Sequence, residues 1–369
     1  MEARDTTKPT ARRSPSDGSA RPKRSRTRSA KLVASATVVL VTVGVVGSVA
    51  FGWDLERLVT VGFVNRSLQL ATPITLAAIG GLYAEKSGVF NIGLEGFMIV
   101  GAIATAGALF TLGGTSPTQG DIWLAMGVAV LVSLALTVVF AVLLISYEAD
   151  QIVAGLAVWF IGLGFAPFTA SLIWDSRNSP GLASIDSVTV PGLAELPWVG
   201  PVVFDQSPLV LLTLVVVVVS WVVLYRTRYG YWVQAAGENP KALDTAGVNV
   251  TRVRYATVLF SGAMAGFGGA VLLAHAGNFV GTGDTMVNGR GWIAIVAYLF
   301  GNYNPIGAAA AAVLFGGLDM LQVQFQTAGI EVPSRLVNLF PYVIVIVVLS
   351  VWGKTQMPSA VGETYEQEE

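Results

Sequence analysis

The sequence predicts an all-α polytopic membrane protein of about ten transmembrane helices. Three observations carry that prediction. Hydrophobic residues fill 53% of the 369 positions and charged residues only 12%, about half the charged share of an ordinary soluble domain. The charges cluster at the termini and in a few loops. Between them recur apolar runs such as Leu124 to Ile145, each long enough to cross the hydrocarbon core as a helix of about 20 residues.

Residues 1–31 are rich in Arg, Lys, Ser, Thr and Pro and poor in apolar side chains. Such a tail cannot bury a core and is expected to be disordered. Its positive charge fits a cytoplasmic topology signal. Anionic lipid and nucleic acid are the functional alternatives for a basic tail, and only membrane lipid is retained as an expected partner. The apolar run at 32–51 is too long for a signal-peptide core, and FGWDLE at its end is not a small-residue cleavage site.

Hydropathy places spans at 32–51, 63–81, 92–112, 122–145, 152–173, 208–225, 254–275, 286–301, 306–324 and 337–353. They make one membrane domain, 32–353, followed by an acidic cytoplasmic tail, 354–369. The eighth span is short and bounded by glycine. It reads as a broken or re-entrant segment, which is tolerable only against protein or a water-filled cavity. The basic tail and the loop at 226–253 hold most of the 22 Lys and Arg, so both termini are expected in the cytoplasm, with Arg290 counted on the outer face. Spans 2–5 and 7–10 then run in opposite senses, which permits an inverted repeat. Self-similarity of the sequence does not establish one.

The chain has no cysteine and one histidine, His275. Disulfides, thiolate metal sites and cysteine nucleophiles are excluded, as are histidine-cluster metal sites. A membrane enzyme is poorly served by this inventory. No G-x-x-x-x-G-K-[ST] phosphate loop is present, so no nucleotide or other cofactor is expected on this chain.

The loop at 226–253 contains a short helix with its punctuation intact. Asn239 can cap its start, Pro240 suits the first helical position, and Gly247 can end it in a left-handed conformation. Ala242, Leu243 and Ala246 are placed on one face. Two turns of helix are not stable alone in water, so this one must dock. Either it couples to a cytoplasmic partner, with Leu243 buried in that partner's cleft, or it caps the loop on its own body.

A second segment, Gly80 to Ala102, sets Glu85, Lys86 and Ser87 in a polar turn, with Asn91 before the next span and Glu95 about one turn into it. A carboxylate at that depth is costly and marks either a functional group or an interfacial one stabilised by the helix dipole. Gly93 and Gly96 suit close packing or a pathway. His275 and Asp319 are expected to be interfacial or structural; paired and buried, they would instead serve an ion-driven carrier. Trp174 and Trp198 read as interface anchors. The turn-rich loop at 174–207 is expected outside.

These residues resemble a family. GGLYAEK with SGVFNIGLEG, the loop AAGENPKALDTAGV, the external PGLAELPWVGPVVF and the late GNYNPIGAAAAAVLFGGLD are similar to the permeases of simple-sugar and nucleoside ABC importers. That group also includes branched-chain amino-acid and ribose permeases, and the nucleoside subgroup is the nearest. The resemblance runs from Asn65 to Trp352. It implies an all-helical type II importer transmembrane domain that pairs with a second related permease, an ATPase subunit carrying ATP and Mg, and an external solute-binding lipoprotein. It also implies that Gly237, Glu238, Asn239, Pro240, Ala242, Leu243, Ala246 and Gly247 form the ATPase-coupling segment, and that Asn91, Gly93, Glu95 and Gly96 serve pathway or packing. The rival reading is a secondary transporter driven by an ion gradient.

Overall fold

The computed structural model of the protein describes residues 60–114, 117–196, 200–327 and 357–362. The basic tail and the spans expected at 32–51 and 337–353 lie outside them, as does Trp198, and the acidic tail enters only at 357–362. Among the described residues ten α-helices follow one another: α1 (Val61–Lys86), α2 (Leu94–Gly113), α3 (Gln119–Ile145), α4 (Gln151–Trp174), α5 (Pro208–Arg226), α6 (Arg228–Glu238), α7 (Pro240–Thr245), α8 (Val250–Ala276), α9 (Arg290–Phe300) and α10 (Pro305–Thr327), with a single π-helical turn at Gly200–Phe204 before α5. Between α4 and α5 two short strands pair antiparallel, β1 (Val188–Thr189) and β2 (Asp205–Gln206), with Val188 opposite Gln206.

Seven of the described helices, α1 to α5, α8 and α10, are long and apolar enough to cross a membrane by length and composition. They coincide with seven expected spans. The eighth expected span contracts to α9, 11 residues from Arg290 to Phe300, about 16 Å of helix and half of a ~30 Å hydrocarbon core.

Helix starts are written locally. Thr118 and Asp121 form a reciprocal capping box at α3. Asp150 accepts from the amides of Ile152 and Val153. Ser207 caps α5, whose first residue is Pro208.

Burial ranks the helices into layers. In their most apolar stretch α1, α8 and α2 are 83%, 67% and 61% buried, against 33% for α3 and α5 and 28% for α4. The first three form the centre. Leu131 of α3 and Phe160, Phe165, Phe168 and Leu172 of α4 face outward, so these helices are apolar on both sides. Contact at the centre is backbone to backbone. A Cβ at Gly101 of α2 would strike the Gly266 carbonyl of α8, and one at Gly96 would strike the Val158 carbonyl of α4. Small residues allow this approach, and with it dispersion contact along the crossing.

The bundle has two unlike ends. One, the loop end, carries residues 87–93, α6, α7, the turn at 301–304 and residues 357–362. The far end carries residues 175–196 and 200–207, the start of α1 and the end of α8. There the chain folds back on its own body, with the Leu182 amide donating to Gly277 at 2.6 Å and the Ile185 amide to Ala274 at 2.8 Å. Trp174 packs edge to face on Phe110.

Candidate functional site

At the loop end, α7 has the expected punctuation. The Asn239 side chain accepts from the Ala242 amide at 3.1 Å, Pro240 holds the first position, and Gly247 adopts φ +80°. The Gly247 amide donates to Asp244 and the Val248 amide to Leu243, the doubled closure of a Schellman motif. The packing departs from expectation. Leu243 is 5% exposed and buried against Ala236 of α6 and Val250 of α8, with Val248 and Trp232 beside it. It is therefore not available to a partner's cleft. Lys241, Ala242 and Ala246 stay exposed, so Ala242 and Ala246 do not share the Leu243 face: Leu243 is the only side chain in the six-residue helix large and apolar enough to anchor it.

The end of α6 is pressed onto α1. A Cβ at Gly237 would strike the Lys86 carbonyl. The Gly237 carbonyl accepts from the Ala360 amide at 2.8 Å, and the Glu238 carbonyl accepts from the Ser359 hydroxyl at 2.7 Å. The Gly362 amide donates to the Gly88 carbonyl at 3.1 Å. Residues 359–362 thus bridge the end of α6 and the turn after α1. Next to them lies a cleft of about 470 Å³ whose walls include Val89, Leu144, Asp150, Arg254 and Val361.

Glu85 and Lys86 are the last residues of α1 and not a solvated turn. Glu85 is fully buried and accepts from the Tyr303 hydroxyl at 2.7 Å. Lys86 lies 5.8 Å from the Tyr225 ring centre and 5.9 Å from that of Tyr303, a cation–π arrangement. Burial, together with the Glu85 carboxylate, pushes the Tyr303 phenol well above its ordinary value.

Deeper in the bundle stands a break in the helical pattern. Asn91 is buried and bonds Ser261 at 2.9 Å, about 16 Å along α8 from Val250 at 1.5 Å per residue. Its other side-chain atom accepts from the Gly93 amide at 2.9 Å, turning the chain into α2. Glu95 is the second residue of α2, closer to the helix start than the sequence suggested, and lies near the half-length of α8. Its two carboxylate oxygens accept from the amides of Gly289 at 2.8 Å and Gly291 at 2.6 Å. Those amides are the open N-terminus of α9. Glu95 is 2% exposed, so the carboxylate is enclosed by the protein. It supplies the acceptors that α9 lacks where water is excluded.

Beside it Arg290 pairs with Asp319 of α10 at 3.2 Å, their side chains 15% and 20% exposed. Arg290 therefore sits inside the bundle and not in an outer loop. The backbone brackets α9 with positive φ on both sides, at Thr285 and Asn288 before it and at Asn302 and Tyr303 after it. For a β-branched or aromatic residue that conformation is strained and persists only where its surroundings impose it. A half-length helix held by a carboxylate and an ion pair is a broken helix, which a membrane interior tolerates only inside protein.

Gly93 and Gly96 lie where α2 meets α4. Val158 of α4 lies against both. His275 bonds the Ser207 hydroxyl at 2.8 Å through Nε2 at the far end. Sequence reasoning missed Arg290, Tyr303 and residues 357–362. For Arg290 the available signal was Gly289-Arg290-Gly291, two glycines opening a short apolar run.

Comparison with known proteins agrees with the motif order. A family profile described as branched-chain amino acid transport system / permease component matches residues 63–349. The nucleoside ABC transporter permease protein NupC of Lactococcus lactis is 34% identical over 307 residues, covering 82% of this chain and 96% of that protein. The guanosine ABC transporter permease protein NupQ of Bacillus subtilis is 32% identical, covering 85% and 98%. The putative glucose ABC transporter permease protein TsgC13 of Haloferax volcanii is 33% identical, covering 83% and 98%. No solved structure matches the chain.

Proposed function

Because this chain belongs to the branched-chain amino acid transport system permease component family, and is thereby the membrane permease subunit of an ABC-type importer, we propose that its solute is a nucleoside or a simple sugar. The similarity to permeases whose names specify nucleoside, guanosine and glucose carries that reading. The proposal extends to the assembly: a second related permease, an ATPase subunit holding ATP and Mg, and an external solute-binding lipoprotein. In it the loop end faces the cytoplasm, the far end faces outward, and the spans at 32–51 and 337–353 complete a set of ten.

The ATPase contact falls on the exposed face of α7, at Ala242 and Ala246, with Leu243 anchoring the helix from beneath. Its energy comes from ATP, so the buried charges need not titrate. The Glu95 carboxylate and the Arg290–Asp319 pair are already committed to holding α9, and this favours a positioning role over proton carriage. The test is uptake of labelled guanosine, uridine and glucose into vesicles carrying the complete transporter and ATP, with and without an uncoupler. Uptake of at least one solute that needs ATP and survives the uncoupler is expected. Uptake lost to the uncoupler while ATP stays high would establish an ion-driven carrier instead.

A further inference from the structure

The helices at the centre converge and then part. A Cβ at Gly268 of α8 would meet the Pro73 carbonyl of α1, and one at Gly316 of α10 would meet the backbone of Ser67 and Ala71 of α1. These close approaches pin the three helices together at that level. Beside these contacts a cleft of about 290 Å³ opens between α1, α8 and α10. Leu70, Leu272, Met320 and Val323 supply apolar walls, and Arg66, Gln69 and His275 supply the polar groups.

Apart from the Arg66 guanidinium at the mouth, the polar groups lining the cleft are an amide and an imidazole, which suit hydroxyls. Arg66 is exposed at the mouth and donates to the Gln69 side-chain oxygen at 3.2 Å. The Gln69 amide nitrogen reaches Gln206 at 3.3 Å, a long bond that a better acceptor can replace. The His275 ring is fixed through Nε2 by Ser207, and its Nδ1 is buried with no hydrogen-bond partner among the described residues. A buried ring nitrogen in that state is destabilised until something bonds it. No carboxylate lines the cleft, which removes any preference for a cation. The volume is at the small end of ligand pockets, about 300–1,000 Å³.

We propose that this cleft is the outer resting site of the transported solute, a neutral polyhydroxylated molecule of nucleoside or monosaccharide size, with Gln69 and His275 bonding its hydroxyls and Leu70, Leu272 and Met320 against its apolar face. The inference rests on the importer reading above. It adds to that reading a site on the permease itself.

The chain has no cysteine, so Met320→Cys and Leu70→Cys each give a single reactive probe. The complete transporter in vesicles is treated from the outer side with a membrane-impermeant thiol reagent, and labelling is timed with guanosine, uridine, glucose or ribose 5-phosphate present. A neutral solute that the same vesicles take up is expected to slow labelling about threefold at roughly twice its Kd, by mass action. Ribose 5-phosphate is expected to leave it unchanged. Combining Gln69→Leu with His275→Leu removes the protection while the probe still labels. Unprotected labelling in vesicles that take the solute up overturns the site and leaves the importer reading intact. A probe that never labels means a partner subunit or lipid fills the cleft, and also overturns it. Protection by ribose 5-phosphate alone overturns the neutral chemistry. Absence of ATP-driven uptake for every neutral solute overturns the importer reading and the site together.

Discussion

Glu95 on α2 accepts from the amide of Gly291 on α9 at 2.6 Å, so a side chain from one helix closes the open end of another inside the bundle. The second oxygen does the same for Gly289. Replacing Glu95 by Ala leaves the buried Gly291 amide and the part-buried Gly289 amide without their acceptor, at about 1–3 kcal/mol for the buried one and less for the other. Glu95→Gln keeps one carbonyl acceptor and is expected to lose less. Thermal unfolding in detergent should rank wild type above Glu95→Gln and Glu95→Gln above Glu95→Ala, with uptake falling in the same order. Equal melting temperatures for all three would remove the capping role.

The Arg290–Asp319 pair gives a second prediction. Either partner removed alone leaves a partly buried charge. The cost is expected at roughly 1–3 kcal/mol, below the ~3–5 kcal/mol of fully buried pairs because both side chains keep some exposure. Arg290→Met combined with Asp319→Leu should recover much of the loss, since neither charge then remains. The melting temperatures of the two single variants and the double variant measure the coupling. Additive losses would show that the pair does not interact.

On α7 the two sides of the helix separate in their consequences. Leu243→Asp buries a carboxylate against Ala236 and Val250 and should lower the amount of folded permease. Ala242→Asp and Ala246→Asp alter exposed positions and should leave membrane abundance unchanged while reducing ATPase co-purification several-fold. Normal ATPase recovery with both alanine variants would move the contact elsewhere.

The helix crossings predict a sharp contrast among glycines. Gly101→Ala puts a methyl group into the Gly266 carbonyl and should destabilise by about 1–3 kcal/mol. Gly127→Ala on α3 meets open space and should be neutral or slightly stabilising through helix propensity. Thermal stability of the two purified variants is the measurement.

The long helices were legible because length and apolar composition alone decide them. The caps of α7 were legible because Asn239, Pro240 and Gly247 act locally. The buried side of α7 was not. Six residues carry too little periodicity to choose between a partner and the Ala236–Val250 surface, which only the tertiary fold brings there. Glu95 was recognisable as costly, but its depth was hidden. Counting from the turn treats the chain as starting at the surface, whereas residues 87–93 enter the bundle without helical structure and deliver α2 part-way in. Arg290 was misplaced for the related reason that a chain leaving the far end need not stay outside. The contacts of residues 359–362 join positions more than a hundred residues apart and have no local pattern.

The Gly237–Lys86 contact has a mechanical consequence. Side-chain contacts can yield by changing rotamer, but a carbonyl resting on a Cα has no such slack. α7 is fastened to α6 through Leu243 on Ala236, and α6 abuts the last residue of α1 through Gly237. α5 meets α1 through side chains, among them the Tyr83 hydroxyl on the Ser220 carbonyl. A load applied at α7 thus passes over a stiff joint to α1, the most buried of the described membrane-length helices.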